Sequence, residues 1–534
     1  MEKIEKHIVD RLAVLKDIKR PHLPYWKKLA QLCSFSPESW EEDKNHRHKQ
    51  VVFDNTARNS LNYFSASMKS TICPSTQRWH KLKASRPELE ENDTVQRYLQ
   101  YVSDLLFKVR YQASSLFPSE ADLLFNQLGI YGTCVWYTGE EVGNKIVYKA
   151  IPFSEVYIDR NELGELESVY REYELTAKRA YDLFGEKCSK ELKGCLEKEP
   201  NRKFKFIHAV EPRKDRNPKA KDFRGMKFAS YQYEVESQTI VKESGYRTMP
   251  YQAPRFLGIE GMVYGDSPAL QAFYDILTAN EMGKTILRTG QLQANPPILT
   301  SMGLIDANKL GSAGAVVKGG LDSQGRPTAM SMQYGNNLAV TLEMQNEIRR
   351  SIEKAFLVPL FQALTQEKEM TATEVEKREV EKAMLLAPMC ERIASEWLNP
   401  MIERELDILA QYGLLDGVPD ELMEGGSIGI EFESPFVHLQ ESSKITGMYK
   451  WLEATMTMSQ VDPSVLDILN FTEASRKIAN YYDVDASAIR TPEEVAALGE
   501  QRVAQQQAEQ LLGASEVLTK SMKNIGYKGG KFGF

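Results

Sequence analysis

Residues 370–378 read Met-Thr-Ala-Thr-Glu-Val-Glu-Lys-Arg, and they precede the longest helical pattern in the chain. A hydroxyl at Thr371 or Thr373 can accept a hydrogen bond from an unpaired amide at a helix start, and Glu374 carries the negative charge that this end favours. Apolar residues then recur every four positions over 385–401. This stretch predicts a long helix, and the elements arranged around it decide the fold.

Two prolines fall inside this helical pattern. Pro388 and Pro400 each remove one backbone donor, so we expect the helix to bend there. Acidic residues in the segment occur two positions apart, as at Glu403 and Glu405, and the neighbouring Arg404 suggests surface ion pairs. Residues two apart on a helix point away from each other, so such pairs cannot act together as catalytic carboxylates.

A helix, a small module and a second helix precede the 370–378 stretch. A helical pattern runs over 268–293, and Asn295-Pro-Pro297 ends it. The following residues, 298–338, are rich in glycine and serine and hold only short apolar runs, which indicates a small β/loop module. Helical periodicity returns over 338–357 and breaks at Pro359, after which a polar link follows.

The regions on either side of this core differ in their periodicity. Residues 4–18, 56–72 and 92–111 have helical spacing, whereas 130–260 hold short β-branched and aromatic segments with turn residues between them. The part from 441 to 534 is helical and ends in a glycine-rich tail that we expect to be flexible. The predicted fold class is therefore α+β, mainly helical.

The densest basic stretch lies within the α+β region and is predicted to be an exposed loop over 211–225. Its basic residues are Arg213, Lys214, Arg216, Lys219, Lys221 and Arg224, and Asp215 and Asp222 interleave with them. This loop can contact nucleic acid or protein, or it can simply keep the surface soluble. Because the two signs of charge are mixed, we favour the second interpretation.

Composition places the chain among soluble proteins of several domains. It has 534 residues, of which 42% are hydrophobic and 26% charged. No segment reaches the roughly 18–20 apolar residues that span a bilayer, and residues 1–20 do not resemble a secretion signal, so we expect the protein to stay where it is made. The six cysteines form no CxxC pair and are predicted to be reduced and mostly buried. The net charge of −7 has the wrong sign for gripping nucleic acid through a global basic face.

Motifs for catalysis are missing from the sequence. There is no GxxxxGK[ST] phosphate loop, no GxGxxG after a strand, and no HExxH, GxSxG or zinc-type cysteine and histidine spacing. His46 and His48 lie beside acidic residues 41–43, but a solvated charged loop explains them better than a metal site. We therefore expect no catalytic site, no metal and no cofactor.

Several segments, taken in order, resemble the head-to-tail connecting, or portal, proteins of short-tailed double-stranded-DNA bacteriophages. Residues 370–378 are similar to the family's M-T-A-T-E-V-x-x-R segment, 264–269 to its Y-G-x-S-P-A motif before the first of two ring-lining helices, and 396–400 to its E-x-L-x-P stretch. The residues that carry the motifs are Tyr264, Gly265, Ser267, Pro268, Met370, Thr371, Thr373, Glu374, Arg378 and Pro400.

The resemblance implies a portal-type fold with named parts. These are a wing (1–267), a first stem helix (268–297), a clip (298–338), a second stem helix (339–358), a channel loop (359–371), a long kinked helix that returns to the wing (372–440), and a crown with a flexible tail (441–534). In the channel loop, Gln366, Glu367, Lys368 and Glu369 are expected to face DNA. Lys368 then makes transient phosphate contacts, or the segment is a plain helix link.

The resemblance also implies a function. It implies a ring of twelve copies, assembled in the host cytoplasm and built into the virion at the head–tail vertex, that conducts double-stranded DNA during packaging and ejection and nucleates head assembly. The implied partners are the terminase, a tail adaptor, and the major capsid and scaffolding proteins, with no membrane. A mildly acidic chain suits a channel in which DNA slides, because tight phosphate contacts would have to break at every step. The first alternative is another virion assembly protein, such as a tail adaptor or scaffold, and the second is a nuclease or ATPase.

Overall fold

The structure is a computed structural model of the chain. It describes residues 2–34, 52–90, 92–141, 145–220, 222–294, 298–300, 324–327, 329–331, 338–362, 384–415, 417–423, 428–432, 435–460 and 462–481, with isolated positions between and beyond them. The described residues fall into two compact units. The first takes its residues from Met1–Lys81, Asp104–Asp416 and Ile430–Leu439, and the second from Leu82–Ser103, Gly417–Gly429 and Gln440–Phe534.

The chain combines helices and strands, as predicted. The principal helices are α1 (Glu2–Lys19), α2 (Leu23–Cys33), α3 (Thr56–Ile72), α4 (Pro87–Glu90), α5 (Asp93–Arg110), α6 (Phe117–Tyr131), α7 (Ala177–Phe184), α8 (Lys190–Lys198), α9 (Pro268–Gln271), α10 (Phe273–Ala294), α11 (Leu338–Ala355), α12 (Val358–Gln362), α13 (384–411), α14 (Asp420–Met423), α15 (Pro435–Ser459) and α16 (Phe471–Tyr481). The strands are β1 (His80–Ala84), β2 (Val135–Glu141), β3 (Lys145–Ile151), β4 (Val156–Arg160), β5 (Leu166–Thr176), β6 (Lys203–Pro212), β7 (Phe228–Glu234), β8 (Thr239–Tyr246), β9 (Tyr251–Gln252), β10 (Ile298–Thr300), β11 (Ala329–Ser331) and β12 (Ile428–Phe432).

The largest sheet is an antiparallel meander in the order β4-β5-β6-β7-β8. Alternate residues of a strand point to opposite faces, and both faces of this sheet are covered. Helix α1 packs on one face through Ile8, Leu12 and Leu15, against residues that include Ile207. Helices α7 and α8 pack on the other face, against residues that include Phe206. The sheet is therefore a buried layer between helices.

A smaller sheet and a helical layer complete the first unit. Strand β2 lies between β3 and β9, and all its pairings are antiparallel. Helix α3 packs against α6, and both carry a buried apolar side through residues such as Phe64, Met68, Leu124 and Leu128. Hydrophobic burial of this kind is the main favourable term in folding. Helix α3 also contacts α11, so this layer supports the helix pair described below.

Helix α13 was predicted to bend at its two prolines, and it is instead interrupted by a π-turn before the second one. Residues Ala394–Leu398 form a π-turn, and Pro400 lies in the first turn of the α-helix that follows. Pro400 has no backbone N–H and its ring would clash with the carbonyl of Glu396, so a wider turn relieves the conflict. Pro388 lies within helical residues 384–393, which continue through it.

The second unit is smaller. It contains α4, α14 and α16, together with most of α5 and α15. Within it, the backbone N–H of Leu82 donates to Ser103 Oγ at 3.1 Å, and both residues are buried. Helix α15 exposes Tyr449, Trp451 and Met458.

The cysteines confirm the prediction of mostly buried thiols. Five of the six are buried, Cys195 is half-buried, and all are free. Burial raises the pKa of Cys33, Cys73 and Cys390 to about 12. These three thiols therefore stay protonated near neutral pH and are poor nucleophiles.

Candidate functional site

The first of the two helices predicted around the glycine-rich module is divided at Ala272 into α9 and α10, and α10 packs against the second, α11. Ser351 Oγ in α11 donates to Asp275 Oδ2 in α10 at 2.7 Å. Farther along, Thr341 of α11 lines the same open groove as Glu281 and Thr285 of α10. Residue numbers therefore rise along one helix while they fall along the other, and the two helices are antiparallel.

A buried aspartate joins this helix pair to the segment before α3. Asp54 Oδ2 accepts hydrogen bonds from Arg349 Nε at 2.8 Å and Gln345 Nε2 at 3.2 Å. Its other oxygen accepts from the backbone N–H of Thr56 at 2.9 Å. A buried charge must be paired and hydrogen-bonded to be tolerated, and Asp54 meets both conditions. We call Asp54 with its two α11 partners the Asp54 clamp.

The same segment also holds α10 directly. The backbone N–H of Phe53 donates to the side-chain Oδ1 of Asn280 at 2.7 Å. One turn on, a Cβ atom added to Gly283 would lie 2.8 Å from the carbonyl oxygen of Phe53. A glycine is therefore required at this position for the backbone to approach so closely.

The residues before α9 are anchored by aromatic packing. Tyr264 is buried, and its ring lies 5.3 Å from that of Trp26 and 5.8 Å from that of Phe153 between centroids, both edge-to-face. His22 packs beside it at 5.9 Å. Burial raises the pKa of Tyr264, so its hydroxyl stays neutral. Aromatic pairs in this geometry contribute about 0.5–1.5 kcal/mol each beyond the area they bury.

Two glycines bring the 264–268 motif against the end of α6. Gly132 ends α6 with φ of 72°, and a Cβ there would lie 2.4 Å from the carbonyl carbon of Asp266. A Cβ on Gly265 would lie 2.7 Å from the Gly132 carbonyl oxygen. The backbone N–H of Gly265 donates to Thr133 Oγ1 at 2.8 Å. Side chains at these glycines would push the two segments apart.

Ser267 and Pro268 begin the helix, as the motif predicts. Ser267 Oγ accepts a hydrogen bond from the backbone N–H of Leu270 at 2.9 Å, which is an N-cap, and donates to the Ile130 carbonyl at 2.9 Å. Pro268 follows in the first turn, where its missing N–H has no partner to lose. The same serine thus starts α9 and ties it to α6.

The π-turn of α13 presents Glu396 to this region. Glu396 accepts hydrogen bonds from the Arg255 backbone N–H at 2.9 Å and from its guanidinium, with Nη2 at 2.5 Å. Arg160 Nη2 lies 3.5 Å away and also donates to the Ala253 carbonyl at 2.5 Å. Burial lowers the pKa of Arg160 to about 10, against the opposing effect of Glu396. We call residues 130–133, 255–268 and Glu396 the root of the helix pair.

The next residue of the 396–400 motif is part of the core. Trp397 is fully buried, with its ring centroid 5.2 Å from that of Trp136 and 5.8 Å from that of Phe125. Pro400 is half-buried. The two motifs of this part of the chain, 264–269 and 396–400, therefore serve the same structural purpose. They fix where the helix pair leaves the body of the first unit.

Beyond the clamp, the helix pair is poorly buried. None of residues 281–294 in α10 is buried, and neither is any of 340–344 in α11. Large apolar side chains are nevertheless exposed there, at Leu287 (47%), Val340 (59%) and Met344 (54%), and Tyr274 (73%) is exposed at the start of α10. In the part of the chain that the structure describes, the far part of the pair therefore leaves large apolar side chains exposed to water.

Most of the other predicted site residues fall in parts of the chain that the structure does not describe. Gln366, Glu367, Lys368, Glu369, Met370, Thr371, Thr373, Glu374 and Arg378 all lie outside the described residues. Most of the 298–338 module does too, and what is described there includes the antiparallel pairing of β10 with β11. The interactions that sequence reasoning missed are those of Arg255, Asp54 and Arg349, for which no local pattern gives a signal.

Among the described residues, no group of three or more histidine, cysteine, aspartate or glutamate side chains is placed to hold a metal ion. Within the same residues, no helix is both long and apolar enough to cross a membrane.

Comparison with known proteins covers nearly the whole chain. A sequence model of the family described as "Bacteriophage head to tail connecting protein" matches residues 5–489. A probable portal protein of Bordetella phage BPP-1 is 26% identical over 520 residues, covering 95% of this chain and 92% of the relative. A portal protein of Salmonella phage epsilon15 is 23% identical over 533 residues, covering 98% and 95%. The chain therefore belongs to the family of bacteriophage head-to-tail connecting, or portal, proteins.

Proposed function

We propose that twelve copies of this chain form a ring at the unique vertex of a phage head, and that double-stranded DNA passes through the ring during packaging and ejection. Family membership supports the role of a connector between head and tail. The observation that carries the ring is the exposed apolar surface of the α10–α11 pair.

An isolated chain leaves these side chains in water. Tyr274, Leu287 and Val340 are exposed on helices whose described far ends, 281–294 and 340–344, contain no fully buried residue. An exposed apolar surface on a helix pair can be covered by another molecule. In a closed ring, one face of each subunit meets a different face of its neighbour, so a single helix pair can be covered from both sides. The Asp54 clamp and the root then hold each pair at a fixed place in the subunit.

The net charge of the chain is better suited to letting DNA slide through the ring than to binding DNA tightly. Protein–DNA affinity is dominated by lysine and arginine contacts to phosphates, and each contact must break when DNA moves. The chain carries a net charge of −7. The expected channel loop, 359–371, begins with the last four residues of helix α12, of which Phe361 is buried, so those four are not loop. We propose that contact with DNA inside the ring is limited to the part after α12, where Gln366, Glu367, Lys368 and Glu369 face the duplex and Lys368 makes transient phosphate contacts.

In this role the chain would dock other proteins rather than catalyse a reaction. The clip, residues 298–338, would form the narrow end of the ring, where the terminase motor binds first and a tail adaptor binds later. The major capsid and scaffolding proteins would contact the ring during head assembly in the host cytoplasm. ATP hydrolysis would belong to the terminase, so the purified chain should hydrolyse no nucleotide with or without DNA. Measurable turnover by the purified chain would contradict this part.

Electron microscopy of the purified full-length protein tests the ring directly. Particles with a central hole are the expected result, and class averages would give the number of subunits. Rods, or compact single subunits at every concentration, would contradict the proposal and favour a scaffold or tail-adaptor role.

The channel loop needs a separate test, because a ring can form without it. We expect Lys368→Ala to assemble normally and to reduce DNA packaging or the retention of packaged DNA in particles. Lys178→Ala is the matched control, since Lys178 is exposed on α7 and not on the helix pair. If both variants package and retain DNA like the unaltered protein, the proposed role of Lys368 fails while the ring proposal stands.

A further inference from the structure

The connection between β6 and β7 has a charge opposite to that of the rest of the chain. Residues 213–227 contain seven basic and two acidic residues, a net charge of +5. Because the whole chain carries −7, the remainder carries −12. So strong a local excess of positive charge requires a reason, since like charges held close together repel one another.

This basic loop, 213–227, is held in a defined shape by its own backbone. The Arg213 N–H donates to the Lys227 carbonyl at 2.9 Å, and the Asn217 N–H donates to the Arg224 carbonyl at 3.0 Å. A Cβ on Gly225 would lie 2.2 Å from the Ala220 carbonyl oxygen, so the two sides of the loop approach as closely as glycine permits. The loop is a compact hairpin-like connection.

One arginine of the loop points inward, whereas five other basic side chains face water. Arg213 is buried: its Nη1 lies 3.2 Å from Glu243 Oε1, and its Nη2 donates to the Ser244 carbonyl at 3.0 Å. Its guanidinium lies over the Phe223 ring at 5.3 Å. The expectation that the whole basic stretch is exposed was therefore wrong for Arg213. The exposed cations are Lys214, Arg216, Lys219, Arg224 and Lys227.

The composition of this surface favours a nucleic acid over a protein partner. Protein–protein interfaces have an apolar core, usually with exposed aromatic residues before binding. In the described part of the loop, the large apolar side chains, Phe223 and Met226, are both half-buried and none is fully exposed. Protein–DNA interfaces are instead polar and strongly basic, and most of their hydrogen bonds go to phosphates.

We propose that the basic loop is a second DNA contact, separate from the channel, at which exposed lysine and arginine side chains bind duplex phosphates without sequence preference. The inference rests on duplex DNA being the cargo of the ring. A ring of subunits repeats the loop many times, so weak individual contacts add through multivalency.

Covalently closed circular duplex DNA distinguishes binding at the basic loop from binding in the channel, because a closed circle cannot be threaded through a closed ring. We expect assembled rings to bind closed circular DNA in a gel-shift assay. The variant Lys214→Gln/Lys219→Gln/Lys227→Gln leaves the backbone bonds of the loop in place. It should weaken this binding and lower the slope of log affinity against log salt by about 0.9 for each phosphate that is no longer neutralised.

A second triple variant controls for loss of charge alone. Lys178, Lys190 and Lys198 are exposed on α7 and α8, outside the loop. Their replacement by glutamine removes the same charge and should leave binding of the circle unchanged. Equal weakening by both variants would show a general charge effect and would overturn the proposal.

Two further outcomes count against the inference, and they are distinguishable from failure of the ring. If unaltered rings form but do not bind closed circular DNA, the second contact does not exist, whatever happens in the channel. If they bind polyglutamate but not the circle, the loop recognises an acidic polypeptide instead. If no rings form in electron microscopy, the proposed function itself fails.

Discussion

Arg110 at the end of α5 and Glu405 in α13 form an ion pair in which both side chains are completely buried, although 295 positions separate them. Arg110 Nε lies 2.8 Å from Glu405 Oε1, and Nη2 lies 2.5 Å from Oε2. Tyr148 donates its hydroxyl to Oε1 at 2.6 Å, and the guanidinium lies over the Trp79 ring. The predicted surface ion pairing was wrong for Glu405 and for the equally buried Arg404.

Replacing Glu405 with glutamine should destabilise the first unit strongly. The change keeps the shape of the side chain but leaves the Arg110 charge buried without a counter-charge, which typically costs about 3–5 kcal/mol. Glu403→Gln is the control, because Glu403 is exposed two positions away on the same helix, and it should change stability by less than about 0.5 kcal/mol. Urea denaturation followed by tryptophan fluorescence measures both. Equal losses would mean that the buried pair contributes nothing specific.

The two glycines of α10 allow a matched test of the close approach at Phe53. Gly283→Ala puts a Cβ about 2.8 Å from the Phe53 carbonyl oxygen, so we expect a loss of about 1–3 kcal/mol in the free energy of unfolding. Gly290 has nothing within 4 Å of a built Cβ. Gly290→Ala should therefore stabilise the helix by up to about 1 kcal/mol. The close approach is refuted if the two alanine variants are equally stable.

A buried histidine gives the protein a predictable acid sensitivity. His208 lies between the Tyr251 hydroxyl at 2.7 Å and Ser230 Oγ at 2.9 Å, and burial, aided by Arg171 and Lys242, lowers its pKa from 6.5 to about 3. The unfolded chain takes up this proton near pH 6.5, whereas the folded chain resists it until about pH 3. The contribution to stability is thus complete above pH 6.5 and is lost as the pH falls towards 3.

The measurement for His208 is the slope of unfolding free energy against pH. Between about pH 6.5 and 3 the histidine should contribute up to about 1.4 kcal/mol per pH unit. His208→Gln removes this titration while it can keep both hydrogen bonds, so its slope should be shallower even if its absolute stability is lower. Parallel curves for the two proteins would show that His208 is not protonated preferentially on unfolding.

Local periodicity was sufficient to predict most helices, because their apolar faces recur within a few residues. Helix α3 matches the predicted range 56–72, and α1 and α5 differ from theirs by one or two residues at each end. Strand β5 and helix α8 were missed. Strand β5 contains many charged residues, so its pattern is weak. Its position is determined by hydrogen-bonded pairing with β4 on one side and β6 on the other. Propensity alone does not capture such pairing.

The root of the helix pair was predictable only where its chemistry is local. Ser267 caps α9 as expected of a serine before a proline-led helix. The bond between Arg255 and Glu396 spans 141 positions, and that between Asp54 and Arg349 spans 295. A single charged residue gives no signal of a partner at such a distance. The role of Glu396 depends in addition on a π-turn that sequence pattern did not reveal.

The exposed apolar residues of the helix pair lead to the most direct test of assembly. Leu287→Glu puts a charge on a surface that the ring is proposed to bury, and an unpaired charge in an interface is strongly unfavourable. We expect this variant to fold, by circular dichroism, but to give few or no rings in electron microscopy. Leu163→Glu is the control, since Leu163 is 82% exposed between β4 and β5, and it should assemble normally. Normal rings from the Leu287 variant would exclude this face from the subunit interface, and loss of rings from both variants would mean that the effect is not specific to the helix pair.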